Sequence, residues 1–396
     1  MLQASVRLYK NAYSGIPKEV WWLGLVLLVN RSGTMVIPFL TVYLTGRGFT
    51  LGEAGFVMGV FGCGSILGGY LGGWLSDRFG FFRVQLTSLL LNGILFITLG
   101  FMHQLWQFAL CIFALSSFGD AFRPANAAAI AAYSSEENRT RCYSLNRLAT
   151  NLGWAVGPAV GGILASYNYH LLFWTDGITC MLAGVLLYFL FSFKKKAPEV
   201  KKEATIKEGN LSAYKDFHYL KGLFFLLLIC ICFFQLFSMI PVFYKNNIHL
   251  PESQIGLMMG LNGLIIAVVE MVLVYKIENR RQSTIYMAFG SFLVGLSFLL
   301  LTIAPVLAVA LTGIIVITFG EMFLFPFTNA FWVSRSQRHN RGQYAALYTM
   351  TFALAQVLAP TIAAQIAFHF SFLTLFHFNF ILCALGSIGF YFLGKQ

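Results

Sequence analysis

Charged residues are scarce in this chain, and acidic residues are the scarcest. Only 11% of its 396 residues are charged, against roughly 25% in an average soluble protein. Its 15 acidic residues are outnumbered by 27 basic ones. A soluble fold of this length could not cover its surface with so few charges. Because 58% of the residues are hydrophobic, the composition predicts an integral membrane protein whose surface is covered by lipid.

Motifs for metals, phosphates and covalent chemistry are also missing. The seven cysteines lie mostly inside apolar runs without disulfide or metal spacing, and the seven histidines form no ligand set. No G-x-x-x-x-G-K-[ST] loop is present, so the chain lacks the phosphate-binding loop of an ATP-driven pump. We therefore predict that it is not an enzyme and uses no metal or organic cofactor.

Twelve long apolar runs follow one another along the chain. A helical span needs about 20 predominantly apolar residues, and long continuous runs favour helices over a β-barrel. The first run is too long for the apolar core of a signal peptide. We predict an all-α integral membrane fold with twelve transmembrane helices. Their predicted limits are 20–44, 52–75, 84–102, 106–132, 143–166, 170–193, 222–244, 255–275, 284–303, 306–331, 343–367 and 371–393.

Basic residues lie mostly on one side of the predicted membrane. Of the 27 lysines and arginines, 23 lie in or beside the even-numbered connections and the termini. Because cytoplasmic connections are enriched in Lys and Arg, we predict a bacterial inner-membrane protein with both termini in the cytoplasm. This distribution explains the net charge of +12 without a nucleic-acid partner. The longest polar stretch, 194–221, is interpreted as a basic cytoplasmic linker between six-helix halves at 1–193 and 222–396.

Two six-helix halves joined by a basic loop resemble the major facilitator superfamily. The stretch at residues 64–83, GSILGGYLGGWLSDRFGFFR, is similar to the superfamily signature G-x-x-x-D-R-x-G-R-R after span 2. Two phenylalanines replace the arginine pair of that signature, and Arg83 follows them directly. The resemblance implies a latch on the cytoplasmic side, with gating roles for Asp77, Arg78 and Arg83.

Span 5 carries the sequence NLGWAVGPAVGG, which is similar to the antiporter motif of bacterial drug/proton exchangers. Gly153, Gly157 and Gly161 recur every four residues, so they line one helix face that lets a neighbouring helix approach closely. Pro158 removes a backbone donor and allows a bend. We interpret these four residues as gating residues, with ordinary helix packing as the alternative. The resemblance implies an exporter of drugs or dipeptides.

Two arginines, Arg31 and Arg123, lie well inside predicted spans, where a charge needs a partner or a water-filled cavity. Arg31, near the middle of span 1, stays charged, and its planar fork suits a carboxylate. We predict that it binds an anionic group of the substrate, with a permanent salt bridge to Asp120 as the alternative. Asp120 could instead pair with Arg123, which lies three residues away on the same face of span 4. Arg123 is also a candidate gating residue.

Three carboxylates are candidates for proton coupling: Asp120, Glu270 in span 8 and Glu321 in span 10. Burial disfavours the charged form of a carboxylate, so such a group can exchange protons near neutral pH. Glu321 lies deepest and is the preferred site, whereas Glu270 could pair with Lys276 or Arg341. A further acid, near the outer end of span 6, is expected to reach lipid headgroups; it is Asp176.

These features predict a secondary transporter with one solute site between its halves, working by alternating access. We favour proton-coupled antiport that exports small organic solutes or short peptides, by a monomer in the lipid bilayer, with protons as the coupling ion. The alternative is proton symport of zwitterions such as di- or tripeptides, held by Arg31 and Glu321. A non-transporting membrane receptor is a third possibility. Besides Arg31, the predicted substrate-binding residues are Asn30, Gln235, Asn262, Asn329 and Gln356.

Overall fold

The computed structural model describes residues 15–135, 138–191, 212–277, 280–336 and 340–395. Within these ranges the regular structure is helical, and twelve segments are long and apolar enough to cross a membrane. The predicted all-α membrane fold is thereby confirmed. The helices are Lys18–Ser32 and Val36–Gly46 (span 1), Leu51–Phe79 (span 2), Phe81–Leu99 (span 3), Leu105–Tyr133 (span 4), Arg139–Tyr167 (span 5), His170–Phe191 (span 6), Phe217–Phe233 and Met239–Asn246 (span 7), Glu252–Ile277 (span 8), Ser283–Leu300 (span 9), Leu307–Arg335 (span 10), Arg341–His369 (span 11) and Phe372–Leu393 (span 12).

Most of the predicted linker, residues 194–211, lies outside the described residues. The boundaries proposed for the two halves and the linker therefore stay predictions. The remaining part of the linker contains a short 3-10 helix, Ala213–Lys215, just before span 7.

Capping explains where span 2 begins and ends. Thr50 and Glu53 form a capping box at its start, in which each side chain accepts a hydrogen bond from the other residue's backbone N–H. The helix ends at Gly80, whose φ of +85° favours glycine because this residue has no Cβ. Span 3 begins at the next residue, so the connection that follows Asp77 and Arg78 is a single residue long.

Spans 1 and 7 are interrupted near their middles, whereas the sequence predicts continuous runs. Span 1 leaves the α-helix after Ser32 and resumes at Val36. In span 7 a 3-10 turn, Phe234–Phe237, separates the two α-helical segments. Hydropathy does not reveal these breaks, because the apolar run continues through both.

Asp176 of span 6 stabilises the break in span 1 by capping the helix that follows it. Its carboxylate accepts hydrogen bonds from the backbone N–H groups of Met35, at 3.1 Å, and Val36, at 2.8 Å. Amides at the start of a helix have no partner within it, and the helix dipole favours negative charge there. The Asp176 side chain is completely buried. The structure thus corrects the expectation that Asp176 reaches lipid headgroups.

The halves meet along two seams, each formed by one span from each half. We call the bundle end with the odd-numbered connections the far end, and the other the basic end. In the 2–11 seam, Gly55, Gly59 and Gly62 of span 2 pack against residues 357–364 of span 11 so closely that a Cβ would clash. These glycines lie nearer the far end, where span 2 begins.

In the 5–8 seam, Gly256, Gly260 and Gly263 of span 8 pack against residues 154–162 of span 5. Here too an added Cβ would overlap the backbone of the opposite span. Small residues on facing helices permit this approach. Both seams are therefore tightly closed toward the far end.

Candidate functional site

A cavity of about 420 Å³ lies between the halves, beside the breaks in spans 1 and 7. Small-molecule sites occupy roughly 300–1,000 Å³. Spans 1 to 6 form one wall, and spans 7, 8, 10 and 11 form the other. The predicted site residues that line the cavity are Asn30, Arg31, Asp120, Arg123, Pro158, Asn262, Glu321 and Gln356.

Arg31 lies on the N-terminal wall, in the last turn before the break in span 1. Its Nε is buried, and no residue of the described chain accepts a hydrogen bond from its guanidinium or forms an ion pair with it. An unpaired charge in a membrane core is costly unless a ligand or water compensates it. Arg31 is therefore available to an acidic group that enters the cavity. Asn30 beside it donates a hydrogen bond to the Cys180 sulfur at 3.4 Å.

Asp120 is already occupied by neighbours other than Arg31. Its Oδ1 lies 2.8 Å from Nε of Arg123, three residues along span 4. Its other oxygen accepts a hydrogen bond from the Ser65 hydroxyl of span 2. Of the two pairings left open by the sequence, the structure adopts the local one. Because the pair is neutral as a whole, the positive charge of Arg31 remains uncompensated on this wall.

Gln356 of span 11 also contacts Ser65, the residue that donates a hydrogen bond to Asp120. Its Oε1 lies 3.2 Å from the Ser65 hydroxyl, so a polar contact between the halves lies next to Asp120. Gln356 thus lines the cavity and also touches the opposite half.

Aromatic rings dominate the C-terminal wall. Phe233 and Phe325 meet edge to face with centroids 4.9 Å apart, and Phe325 lies 5.5 Å from Phe352. Trp154 of span 5 extends the cluster, 4.9 Å from Phe237. Such rings offer apolar contact area to a ligand. The cavity therefore has a charged wall and an aromatic wall.

Glu321 is the one acid among the described residues that line the C-terminal wall. The Nδ2 of Asn262 donates to the Thr318 hydroxyl at 2.9 Å and to Oε2 of Glu321 at 3.3 Å. No described cation forms an ion pair with Glu321, although Glu270 and Arg147 lie within electrostatic range. The two ionisable groups of the cavity without an ionic partner, Arg31 and Glu321, therefore belong to opposite halves.

Two predicted substrate-binding residues lie outside the cavity lining. Gln235 is buried and exchanges two side-chain hydrogen bonds with Asn379 of span 12, at 2.9 and 2.7 Å. Asn329 accepts a hydrogen bond from the Trp332 indole at 3.1 Å. In this structure both amides have partners within the C-terminal half, Gln235 buried and Asn329 exposed, so their binding of solute stays a prediction.

Glu270 is paired across the halves. Its carboxylate forms a salt bridge with Arg147 of span 5, and only 7% of the Glu270 side chain is exposed. The sequence suggested Lys276 or Arg341 as partners, both in its own half. Glu270 lies outside the cavity lining, although it remains within electrostatic range of Glu321. Its position instead extends the 5–8 seam toward the basic end.

The gating residues predicted after span 2 make few contacts in this conformation. Asp77, Arg78 and Arg83 are exposed, and none forms an ion pair within the described part of the chain. The guanidinium of Arg78 lies over the Trp74 ring, 5.4 Å from its centroid. The latch that the resemblance implies is therefore not engaged here.

The predicted glycine face of span 5 packs against span 1. Added Cβ atoms at Gly153, Gly157 and Gly161 would meet residues 31–35, at and beside the break. Pro158 lines the cavity, and its carbonyl faces Gly256 of span 8. Span 5 thus contacts both the segment of span 1 that carries Arg31 and span 8 of the opposite half.

Sequence reasoning missed several polar residues that shape the site. Asn92 lines the N-terminal wall with a buried Oδ1 that has no partner in the described chain. Ser65 donates a hydrogen bond to Asp120, and Thr318 accepts one from Asn262, which also contacts Glu321. Each is a lone polar residue in an apolar run, a signal that many packing residues share. No group of three His, Cys, Asp or Glu side chains that could hold a metal occurs in the residues that the structure describes.

Comparison with known proteins gives matches over most of the chain. The model of the Major Facilitator Superfamily matches residues 22–360. A relative named as a Na(+), Li(+), K(+)/H(+) antiporter of Planococcus maritimus is 26% identical over 367 residues, covering 84% of this chain and 85% of the relative. Multidrug resistance protein MdtG of Salmonella heidelberg is 27% identical over 167 residues, covering 41% of this chain and 40% of that protein.

Among solved structures, one similar fold is a POT family transporter in complex with 5-aminolevulinic acid. Its TM-score is 0.82 with 15% identity, and the match covers 97% of both chains. At that identity the likeness concerns the fold alone.

Proposed function

The chain belongs to the major facilitator superfamily, and from this premise we propose that it is a proton-coupled antiporter that exports small organic solutes. One observation carries the proposal: Arg31 and Glu321 face the same cavity from opposite halves, and neither has an ionic partner. A solute and a proton can therefore both change the electrostatic balance between the halves.

Arg31 supplies the solute-binding charge. A carboxylate or similar acidic group would receive charge-assisted hydrogen bonds from its fork, which are stronger than neutral ones. The aromatic wall around Phe325 and Phe352 would hold the apolar body of the solute. The selected solutes are therefore small, partly apolar molecules with an acidic group.

Glu321 supplies the proton site. When ionised, it accepts a hydrogen bond from Asn262, the neighbour of Gly263 in the 5–8 seam. Protonation removes this charge and weakens that hydrogen bond, because charge-assisted bonds are stronger. Exchange follows if the solute's own donor group competes with the proton for Glu321.

Orientation follows from the basic residues. We propose that the basic end faces the cytoplasm, because Lys and Arg concentrate in cytoplasmic connections. The closed seams near the far end then describe a carrier shut toward the outside. The proposed unit is a monomer in a bacterial inner membrane.

The test is transport by purified protein in proteoliposomes under an imposed pH gradient. With a panel of drugs, peptides, sugars and organic acids, a substrate should drive proton movement in the direction opposite to its own. Glu321→Gln should reduce this proton-driven transport at least tenfold while preserving solute exchange at equal pH, because glutamine carries no titratable proton but its amide oxygen can still accept a hydrogen bond from the solute.

Glu53→Gln is the matched control. It makes the same substitution in the capping box of span 2, where glutamine also serves, and should transport like the wild type. Solute uptake driven by an inward proton gradient would favour symport of zwitterions over export. Full proton coupling in Glu321→Gln would refute the role of Glu321, and absence of any flux would favour a receptor.

Monovalent-cation exchange is the second candidate function. The Thr318 hydroxyl oxygen and a Glu321 carboxylate oxygen lie around the same Asn262 amide nitrogen, and hard oxygen ligands suit such cations. The Planococcus relative is named as a cation/proton antiporter. In the same proteoliposomes, collapse of the pH gradient by Na⁺, Li⁺ or K⁺ without any organic solute would select this candidate.

A further inference from the structure

A second cavity lies on the outer surface of the C-terminal half, away from the solute site. It is a groove of about 390 Å³ between spans 9 and 12, and it begins near Ile285 at the basic end. Span 9 follows it as far as Phe292, about 10 Å along the helix. The groove shares no lining residue with the central cavity, so the transport mechanism does not account for it.

The walls of the groove are aromatic and face the surroundings of the bundle. Phe289 is 47% exposed, Ile388 55% and Phe392 57%. In a helix pair that crosses a membrane, these surfaces contact acyl chains. The floor is well defined because Ser387 donates a hydrogen bond to the Ala288 carbonyl at 2.8 Å, fixing the two helices against each other.

Three cations lie at the basic end of this groove. Arg280 and Arg281 directly precede span 9 and are exposed, and Lys395 follows span 12. The start of span 9 and the end of span 12 are adjacent, because a Cβ on Gly394 would lie 3.2 Å from the Gln282 side-chain oxygen. Lys395 Nζ lies 4.6 Å from the centroid of Tyr391, a ring that lines the groove.

These cations have no acidic partner in the parts of the chain that the structure describes. An apolar groove that ends in three positive charges at the membrane surface matches the chemistry of one ligand class. We propose that the groove binds an anionic phospholipid, with its phosphate near Arg280, Arg281 and Lys395 and an acyl chain between spans 9 and 12. A zwitterionic lipid would fit the groove but would offer no net charge to the cations.

The experiment is native mass spectrometry of the purified full chain, titrated with phosphatidylglycerol or phosphatidylcholine. The wild type should retain one phosphatidylglycerol at least tenfold more tightly than phosphatidylcholine, because each basic residue near an anionic headgroup contributes attraction. The combined variant Arg280→Gln, Arg281→Gln and Lys395→Gln should lose this preference.

The matched control is Lys18→Gln, Lys215→Gln and Lys221→Gln. It removes the same charge from exposed positions at the basic end, none of which lines the groove, and should keep the preference. Ile388→Trp should weaken binding of both lipids with the three cations intact, because it fills the groove. Glycerol phosphate, which has the anion without the chains, should not compete.

Four outcomes would overturn the proposal. They are equal binding of the two lipids by the wild type, an equal loss in the control variant, full competition by glycerol phosphate, and a dimer that forms on this face without lipid. If the triple variant does not fold, the wild-type preference and the Ile388→Trp result still decide the matter.

Discussion

The two seams between the halves are alike near the far end and differ near the basic end. In the 2–11 seam the glycine face of span 2 continues past Gly62 to Gly69 and Gly73, at spacings that keep all of them on one side of the helix. A Cβ at either of these last two would meet no atom of another described helix within 4 Å. In the 5–8 seam the contact continues to the Arg147–Glu270 salt bridge.

From this difference we expect one seam to act as a hinge while the other opens and closes. A glycine face without a neighbouring helix would allow span 11 to pack closely against span 2 in another conformation. The 5–8 seam keeps its contact along much of its length through an ion pair. In this structure the basic end is therefore open between spans 2 and 11.

The largest expected effect on stability comes from a wedge in the packed part of the 2–11 seam. Gly59→Leu would force a side chain against Thr361. We expect a loss of about 3 kcal/mol or more in the free energy of unfolding, because overpacking displaces backbone. Thermal unfolding of purified protein measures it. A stability equal to the wild type would show that the far end is not closed as described.

The next largest effect is expected from the Arg147–Glu270 salt bridge in the 5–8 seam. Glu270→Gln should cost roughly 1–3 kcal/mol, between the values for exposed and buried pairs, because Arg147 is 45% exposed. A double-mutant cycle with Arg147→Gln measures the coupling by thermal unfolding. Additive effects of the two substitutions would mean that the pair does not join the halves.

A smaller effect is expected from the hydrogen bonds that Asp216 accepts within the C-terminal half. Asp216, before span 7, accepts hydrogen bonds from Arg335 at 2.9 Å and from the Tyr344 hydroxyl at 2.8 Å. Burial acts to raise the pKa of Asp216, but these hydrogen bonds and one from the Tyr219 backbone outweigh it and lower the pKa. Asp216→Asn should therefore cost about 1 kcal/mol at neutral pH.

The contribution of Asp216 to stability should depend on pH in a definite direction. A carboxylate with a lowered folded-state pKa stabilises the fold above its ordinary pKa of about 3.9, and the stabilisation is lost as the pH falls through the folded value. The difference in melting temperature between the wild type and Asp216→Asn should shrink below about pH 4. A difference that grows on acidification would contradict the assignment.

The smallest effect on stability is expected where the seam is open. Gly69→Leu has space around it, so the free energy of unfolding should change by no more than about 0.5 kcal/mol. Transport should nevertheless fall at least tenfold, because the added side chain prevents spans 2 and 11 from closing at the basic end. Normal transport by Gly69→Leu would show that this face never packs against span 11.

The sequence predicts the helices well because membrane thickness sets their length and lipid sets their composition. It also identifies Arg31 and Glu321, since a charge within an apolar run is conspicuous. The interruption of span 1 is not visible in this way, because an apolar run looks the same whether its backbone is helical or not.

Pairing between distant residues is the part that the sequence could not supply. Arg147 and Glu270 lie in different halves, and Gln235 meets Asn379 across its half. Nothing in a single sequence distinguishes a polar residue that faces a partner helix from one that faces a cavity. The expectation that Asp176 reaches lipid headgroups is wrong for the same reason. Its partners are backbone amides, which every residue type except proline can offer.

The cap on span 1 has an entropic consequence for recognition. Asp176 holds Met35 and Val36, while Gly153 packs against Arg31 itself. Spans 5 and 6 thereby fix the backbone that carries the guanidinium before any solute arrives. Little of the binding free energy is then spent on ordering the protein, so the site is preorganised and even a small solute can bind usefully.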